Sequence, residues 1–189
     1  MDVQEADAEA LPFADGSFAA VVMNFGVLHL AQPDLAFAEA YRVLRPGGRF
    51  AFTVWAVPEV SVGQDMVLRA IQAHGTTDVP LPSGPPFFRF SDPAECKRAL
   101  EAFGFTDVHS TTLPLVWQFP DPDAVFTALQ QGTVRIAALL RAQSPEALTA
   151  IRQAVRAEAA TYATARGVDV PMGAVLISSR KPGSSDQNK

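Results

Sequence analysis

The sequence predicts an α/β fold built on a largely parallel sheet. Three observations carry this expectation. Strand-like and helix-like segments alternate through roughly the first two-thirds of the chain. Of 189 residues, 48% are apolar and 19% charged, a balance that supports a real core. From Asp121 the pattern turns mainly helical, until an apolar run at 172–179 supplies a last strand.

The elements follow in order. Residues 18–24 (F-A-A-V-V-M-N) come after the turn signal Asp15-Gly16-Ser17. A short apolar run without alternation predicts a strand buried on both faces. Residues 33–44 place Phe37, Tyr41 and Leu44 at i, i+4 and i+7, one helix face. Arg45-Pro46-Gly47-Gly48 ends that helix, and residues 49–55 (R-F-A-F-T-V-W) read as the next strand. A helix is expected over 64–74. The prolines at 80, 82, 85 and 86 then forbid helix or central strand and predict a lid or connector. Asp92-Pro93-Ala94-Glu95 is a helix start, closed by Gly104. Residues 106–115 read as a strand, residues 122–131, 134–143 and 145–166 as helices, and 182–189 as a disordered polar tail.

Several function classes are disfavoured. A net charge of −5 argues against a nucleic-acid partner. The single cysteine, Cys96, excludes an internal disulfide and reads as a buried, inert thiol. The acidic start lacks the basic and apolar regions of a signal peptide, no membrane span is expected, and the expected address is the cytoplasm. His29, His74 and His109 lack ligand spacing, so no metal is expected. There is no G-x-S-x-G, G-x-G-x-x-G or G-x-x-x-x-G-K-[ST] segment.

Three blocks in residues 7–55 are informative together: D-A-E-A-L-P-F at 7–13, a strand ending in N-F-G-V-L-H at 24–29, and R-V-L-R-P-G-G at 42–48 before a strand. In order and spacing they resemble the second half of the class I S-adenosylmethionine-dependent methyltransferase domain, in its small-molecule branch. The resemblance implies the carboxyl-terminal part of a Rossmann-like sheet, its fourth to seventh strands adjacent, with helices on both faces and a helical substrate-side cap. It implies S-adenosylmethionine as cofactor. Asp7 would accept from the adenine amino group and the Ala8 N–H would meet a ring nitrogen, with Glu9 beside them. A carboxylate and an amide on one tight loop can read a base edge. The Asn24-Phe25-Gly26 backbone would face the methionine part, at the carboxyl end of its strand. His29 flanks that site and is the candidate catalytic residue. If the acceptor must lose a proton, His29 and His109 are the candidate bases.

Two departures accompany the resemblance. Ala19 stands where the family usually has aspartate, and the family's glycine-rich first half has no counterpart. The expectation is therefore a chain cut at its amino-terminal side and inactive alone. Its intact parent would methylate a small, apolar acceptor. The expected organisation is a cofactor-side part at 1–57, substrate-side helices and the last two strands at 58–181, and the tail. Phe87, Phe88, Phe90, Trp117 and Phe119 are expected near the acceptor. The open edge of the 18–24 strand would favour self-association. A non-catalytic ligand-binding or interaction fragment is the alternative.

Overall fold

The computed structural model describes residues 3–81 and 84–183. The chain divides into two compact units. The first comprises Met1–Trp55, Ser83–Leu113 and Val175–Lys189; the second comprises Ala56–Pro82 and Pro114–Ala174. Residues 184–189 of the tail expected at 182–189, and Pro82 and Ser83 of the proline-rich connector, lie outside the described residues.

The first unit is a four-stranded sheet with helices packed on it. Its strands are β1 (Phe18–Asn24), β2 (Leu44–Trp55), β3 (Thr106–Leu113) and β7 (Ala174–Arg180), in the order β1-β2-β7-β3. Four adjacent strands of a Rossmann-like methyltransferase sheet are what the sequence led us to expect, and the mixed α/β fold class is as expected. Helix α1 (Pro33–Val43) buries Ala36, Phe37, Ala40 and Val43. Phe37 meets Phe50 and Phe52 of β2 at ring separations of 5.9 and 5.4 Å, and Phe90 at 5.3 Å. Phe90 is thus part of the core of this unit. Helix α3 (Pro93–Glu101) starts as its sequence predicts: Asp92 accepts the Ala94 N–H at 2.8 Å and Pro93 opens the first turn. Glu95, however, does not close a capping box. Its carboxylate takes Arg89 and Arg98 instead, and these bonds, Arg89 first, hold its pKa below the usual range.

Two expectations for this unit are corrected. The strand read at 49–55 begins at Leu44, because residues 44–48 join the ladder through an irregularity between Phe18 and Ala20. Gly47, at φ 78°, turns the chain so that its N–H reaches the Lys181 carbonyl. A side chain on Gly48 would press on the Arg45 and Ala19 carbonyl oxygens. The strand at 18–24 is not buried on both faces: Val22 is 74% exposed. Ala20, Val22 and Asn24 are in register with Arg49, Ala51 and Thr53, opposite the Phe50–Phe52 face that α1 covers. A continuous apolar run reports low polarity along a strand, and cannot report what lies over each face.

The second unit is mainly helical. It contains α2 (Val62–His74), α4 (Pro122–Gly132), α5 (Arg135–Arg141) and α6 (Pro145–Ala159). Val67, Ile71, Phe126, Leu129, Leu140, Ile151 and Val155 form its interior. Asp121 and Ser144 cap α4 and α6, each followed by proline. This unit also holds a sheet that the sequence reading missed: β4 (Val116–Phe119), β5 (Ala163–Thr164) and β6 (Gly167–Pro171), antiparallel in the order β4-β6-β5. The helix expected over 145–166 accordingly stops at Ala159, and its last residues enter a hairpin closed by Gly167. The run expected at 172–179 becomes β7, starting at Ala174.

Candidate functional site

Strands β1 and β2 are parallel, so their carboxyl ends lie on the same side of the sheet, where open α/β sheets place ligands. β1 ends at Asn24 and turns sharply at Phe25, whose φ of 51° is left-handed backbone that a bulky residue rarely adopts. Thr53 of β2 holds that turn. Its hydroxyl accepts the Phe25 N–H at 3.0 Å and donates to Asn24 Oδ1 at 2.5 Å. The Phe25 ring stacks on Trp55, the last residue of β2, at 4.3 Å. A 3-10 turn follows at Val27–His29; Val27 and Leu28 are buried and His29 is exposed.

The loop at 7–15 is built onto α1. Asp7 and Ala10 form a tight bridge, and Asp7 Oδ1 accepts the Glu9 N–H at 2.9 Å. Glu9 Oε1 accepts the Gln32 N–H at 2.8 Å, tying the loop to the segment between His29 and α1. Glu39 Oε2 accepts the Leu11 N–H at 2.7 Å. Arg42 gathers the rest, donating to the Leu11 and Phe13 carbonyls, to Asp15 and, twice, to Glu39. The bond from Arg42 is the main cause that lowers the Glu39 pKa, and Glu39 and Asp15 raise that of Arg42.

The candidate residues therefore fall into two groups at the amino end of α1. Asp7, Ala8 and Glu9 lie on one pinned loop, and Asn24, Phe25, Gly26 and His29 on one strained turn. His109 is not among them. It sits on β3, at the opposite edge of the sheet, three strand spacings or roughly 14 Å from β1. Thr53, Trp55, Glu39 and Arg42 were missed as site-shaping residues; only Arg42 carried a signal, inside R-V-L-R-P-G-G. Beside the loop, Gln32, Asp34, Leu35, Pro85 and Arg89 line an open cleft of about 330 Å³. Among the described residues no group of three His, Cys, Asp or Glu could hold a metal ion, and no helix is long and apolar enough to cross a membrane.

Residues 1–52, from the loop through most of β2, match the methyltransferase domain family. The chain is similar to methyltransferases over that segment. It is 58% identical over 50 residues to the ubiquinone/menaquinone biosynthesis C-methyltransferase UbiE of Bradyrhizobium diazoefficiens, covering 26% of this chain and 20% of that protein. It is 45% identical over 62 residues to the enzyme of the same name from Brucella anthropi, covering 33% of this chain and 24% of that one. The chain thus matches about a fifth to a quarter of these relatives' length. The solved structure of YcgJ from Bacillus subtilis superposes with a TM-score of 0.54 at 21% identity, over 96% of this chain and 71% of YcgJ. That likeness concerns the fold, and it extends past the matched segment.

Proposed function

We propose that this chain is the carboxyl-side part of a methyltransferase that moves a methyl group from S-adenosylmethionine to a small, largely apolar acceptor. The observation that carries the proposal is the Phe25 turn, a strained backbone locked by Thr53 at the shared carboxyl end of two parallel strands. When bound, S-adenosylmethionine supplies an electrophilic methyl on a sulfonium. The residues present fit one side of that molecule. Asp7 is fixed by its bond to the Glu9 N–H and offers a second carboxylate oxygen to an amino group, and Ala8 N–H lies on the same tight loop. The backbone at 24–26 is the surface for the methionine side. His29 is the candidate for a proton-accepting role. The chemistry asked of the protein is alignment and exclusion of water.

The family's glycine-rich loop and ribose-binding acid have no counterpart in this sequence. Their absence removes about four charge-assisted hydrogen bonds, each worth about 1.5–3 kcal/mol. A loss of ~6 kcal/mol weakens binding roughly 10⁴-fold, from micromolar to about 10 mM. The 189-residue chain is therefore proposed to be inactive alone. Titration with adenosine, followed by amide NMR, tests the reading: millimolar adenosine should shift residues 7–10, and Asp7→Ala should abolish the shift. Unmoved signals at that loop would refute it, and a micromolar dissociation constant for S-adenosylmethionine would refute the weakness.

The open edge of β1 favours a second reading, an interaction fragment. The strand carries no Lys or Pro, and Val22 is exposed. On this reading the chain self-associates through β1 and Val22→Lys disperses it. A monodisperse parent in light scattering at high concentration excludes it.

A further inference from the structure

Arg89 opens the short 3-10 turn before α3, and its guanidinium is held on two sides. Its Nε donates to Glu95 Oε1 at 2.7 Å, and its face lies over the Phe90 ring, 4.7 Å from the centroid. Phe90 is buried and Glu95 is held in turn by Arg98, so the group is fixed before any ligand arrives. The fold leaves its terminal nitrogens unused. Nη2 comes within 3.8 Å of Asp34 Oδ1, an ion pair too long for a hydrogen bond. Neither terminal nitrogen has a hydrogen-bond partner among the described residues.

This open pair stands in the cleft of about 330 Å³ beside α1, at the small end of the range of ligand pockets, about 300–1,000 Å³. Asp34 lies in the first turn of α1 with its side chain 56% exposed, and that of Arg89 is 24% exposed. Pro33, Leu35 and Pro85 supply apolar wall, and Gln32, which makes no cap bond, supplies a carboxamide. The cleft thus offers a fixed cation, a facing carboxylate and an apolar lining, all within one compact unit.

We propose that this cleft binds an α-amino acid with an apolar side chain, its carboxylate on Arg89 and its ammonium on Asp34. The charges select the ligand. A simple anion reaches Arg89 but meets Asp34, and a simple cation meets the reverse. A neutral hydroxyl can bridge the two groups, but its bonds carry charge on one side only and are weaker. An α-amino acid carries both charges on one carbon, closer together than the 3.8 Å gap. Two charge-assisted bonds of about 2.7–2.9 Å then span the gap with neither side chain moved. A planar guanidinium takes both oxygens of a carboxylate, and its two terminal nitrogens are the ones left open here. Recognition of this ligand does not depend on the methyltransferase reading, since neither the 7–9 loop nor the 24–26 turn lines the cleft.

The test uses leucine, 4-methylpentanoate and isopentylamine, which share one branched apolar chain and carry both charges, the carboxylate alone and the ammonium alone. Each is titrated into the full chain and followed by backbone NMR. Leucine should shift the amides of Gln32, Asp34 and Leu35 and bind about tenfold more tightly than either analogue. In Asp34→Asn the affinity for leucine should fall to that for 4-methylpentanoate, and in Arg89→Gln to that for isopentylamine. Adenosine should leave the leucine shifts unchanged. Equal affinities for the three ligands, unmoved amides at 32–35, or competition by adenosine would overturn the proposal. So would an undiminished leucine preference in Asp34→Asn, an exposed site whose substitution leaves the fold standing even if Arg89→Gln did not fold.

Discussion

Replacing Thr53 by valine removes one oxygen and leaves the side-chain shape and strand preference almost intact. That oxygen is the acceptor for the Phe25 N–H, at 3.0 Å, and the donor to Asn24. A part-buried N–H that loses its partner costs about 1–2 kcal/mol. The exposed Asn24 carboxamide finds water and adds little. The left-handed backbone at Phe25 carries about 1–3 kcal/mol of strain, which the surrounding contacts hold in place. Once the bond is gone, part of that strain is relieved by opening the turn, so the net loss stays near 1–2 kcal/mol. For a chain of this size the melting temperature falls by roughly 2–8 °C. Thermal unfolding by circular dichroism gives the total, and hydrogen exchange at the Phe25 amide gives the location. Fluorescence of Trp55 reports whether the 4.3 Å stack with Phe25 survives. Thr53→Ser keeps the hydroxyl and should retain most of the protection. If Thr53→Val melted like the parent with the Phe25 amide equally protected, the hydroxyl would not be what holds the turn.

Three further outcomes are expected. Arg42→Lys replaces a planar fork by a point charge and cannot reach two carbonyls and two carboxylates together; the Leu11 amide should exchange faster and the 7–15 loop should be cut sooner by protease. Gly167→Ala puts a Cβ against the Phe119 carbonyl oxygen at a φ of 134°, so it should cost about 2–4 kcal/mol and lower melting by roughly 5–12 °C, read by calorimetry. Burial, helped by the Asp92 and Glu95 carboxylates, pushes the Cys96 thiol up to about 12. The folded state thus binds this proton more tightly than the unfolded one. Its contribution is complete below the unfolded value of about 8.5 and is lost as pH rises towards 12, so denaturant midpoints should fall over that range. At pH 8 iodoacetamide should alkylate Cys96 only as fast as the protein unfolds.

What the sequence revealed was what local chemistry encodes. Helix α3 was legible because Asp92 and Pro93 start it and Gly104 follows its end, all within one short stretch. Strand β1 was legible as a strand but not in its exposure, because Val22 is uncovered for reasons that lie in other segments. The sheet of β4, β5 and β6 was not legible. Its strands are two to five residues long, and Trp117 finds Val170 only across the whole helical region between them. The site divides the same way. The loop at 7–9 and the turn at 24–29 stood out as blocks of residues. Thr53 and Glu39 did not, since each acts on a segment 28 residues away, and Arg42 stood out only as the first residue of the R-V-L-R-P-G-G block.

Remaining hydrogen-bonding capacity separates the residues that build this protein from those placed to bind something. Arg42 looks like a ligand-binding arginine from its charge and its place beside the 7–15 loop. Its five N–H donors make five bonds, to Leu11, Phe13, Asp15 and twice to Glu39, so nothing is left for a ligand. Arg42 is therefore a positioning residue, and its loss should act through the loop. Asp7 is the reverse case. One carboxylate oxygen holds the Glu9 N–H, which fixes the group, and the exposed carboxylate keeps a second oxygen. Substitutions at Arg42 should therefore change loop order first and affinity second, whereas substitutions at Asp7 should change affinity while the fold stands.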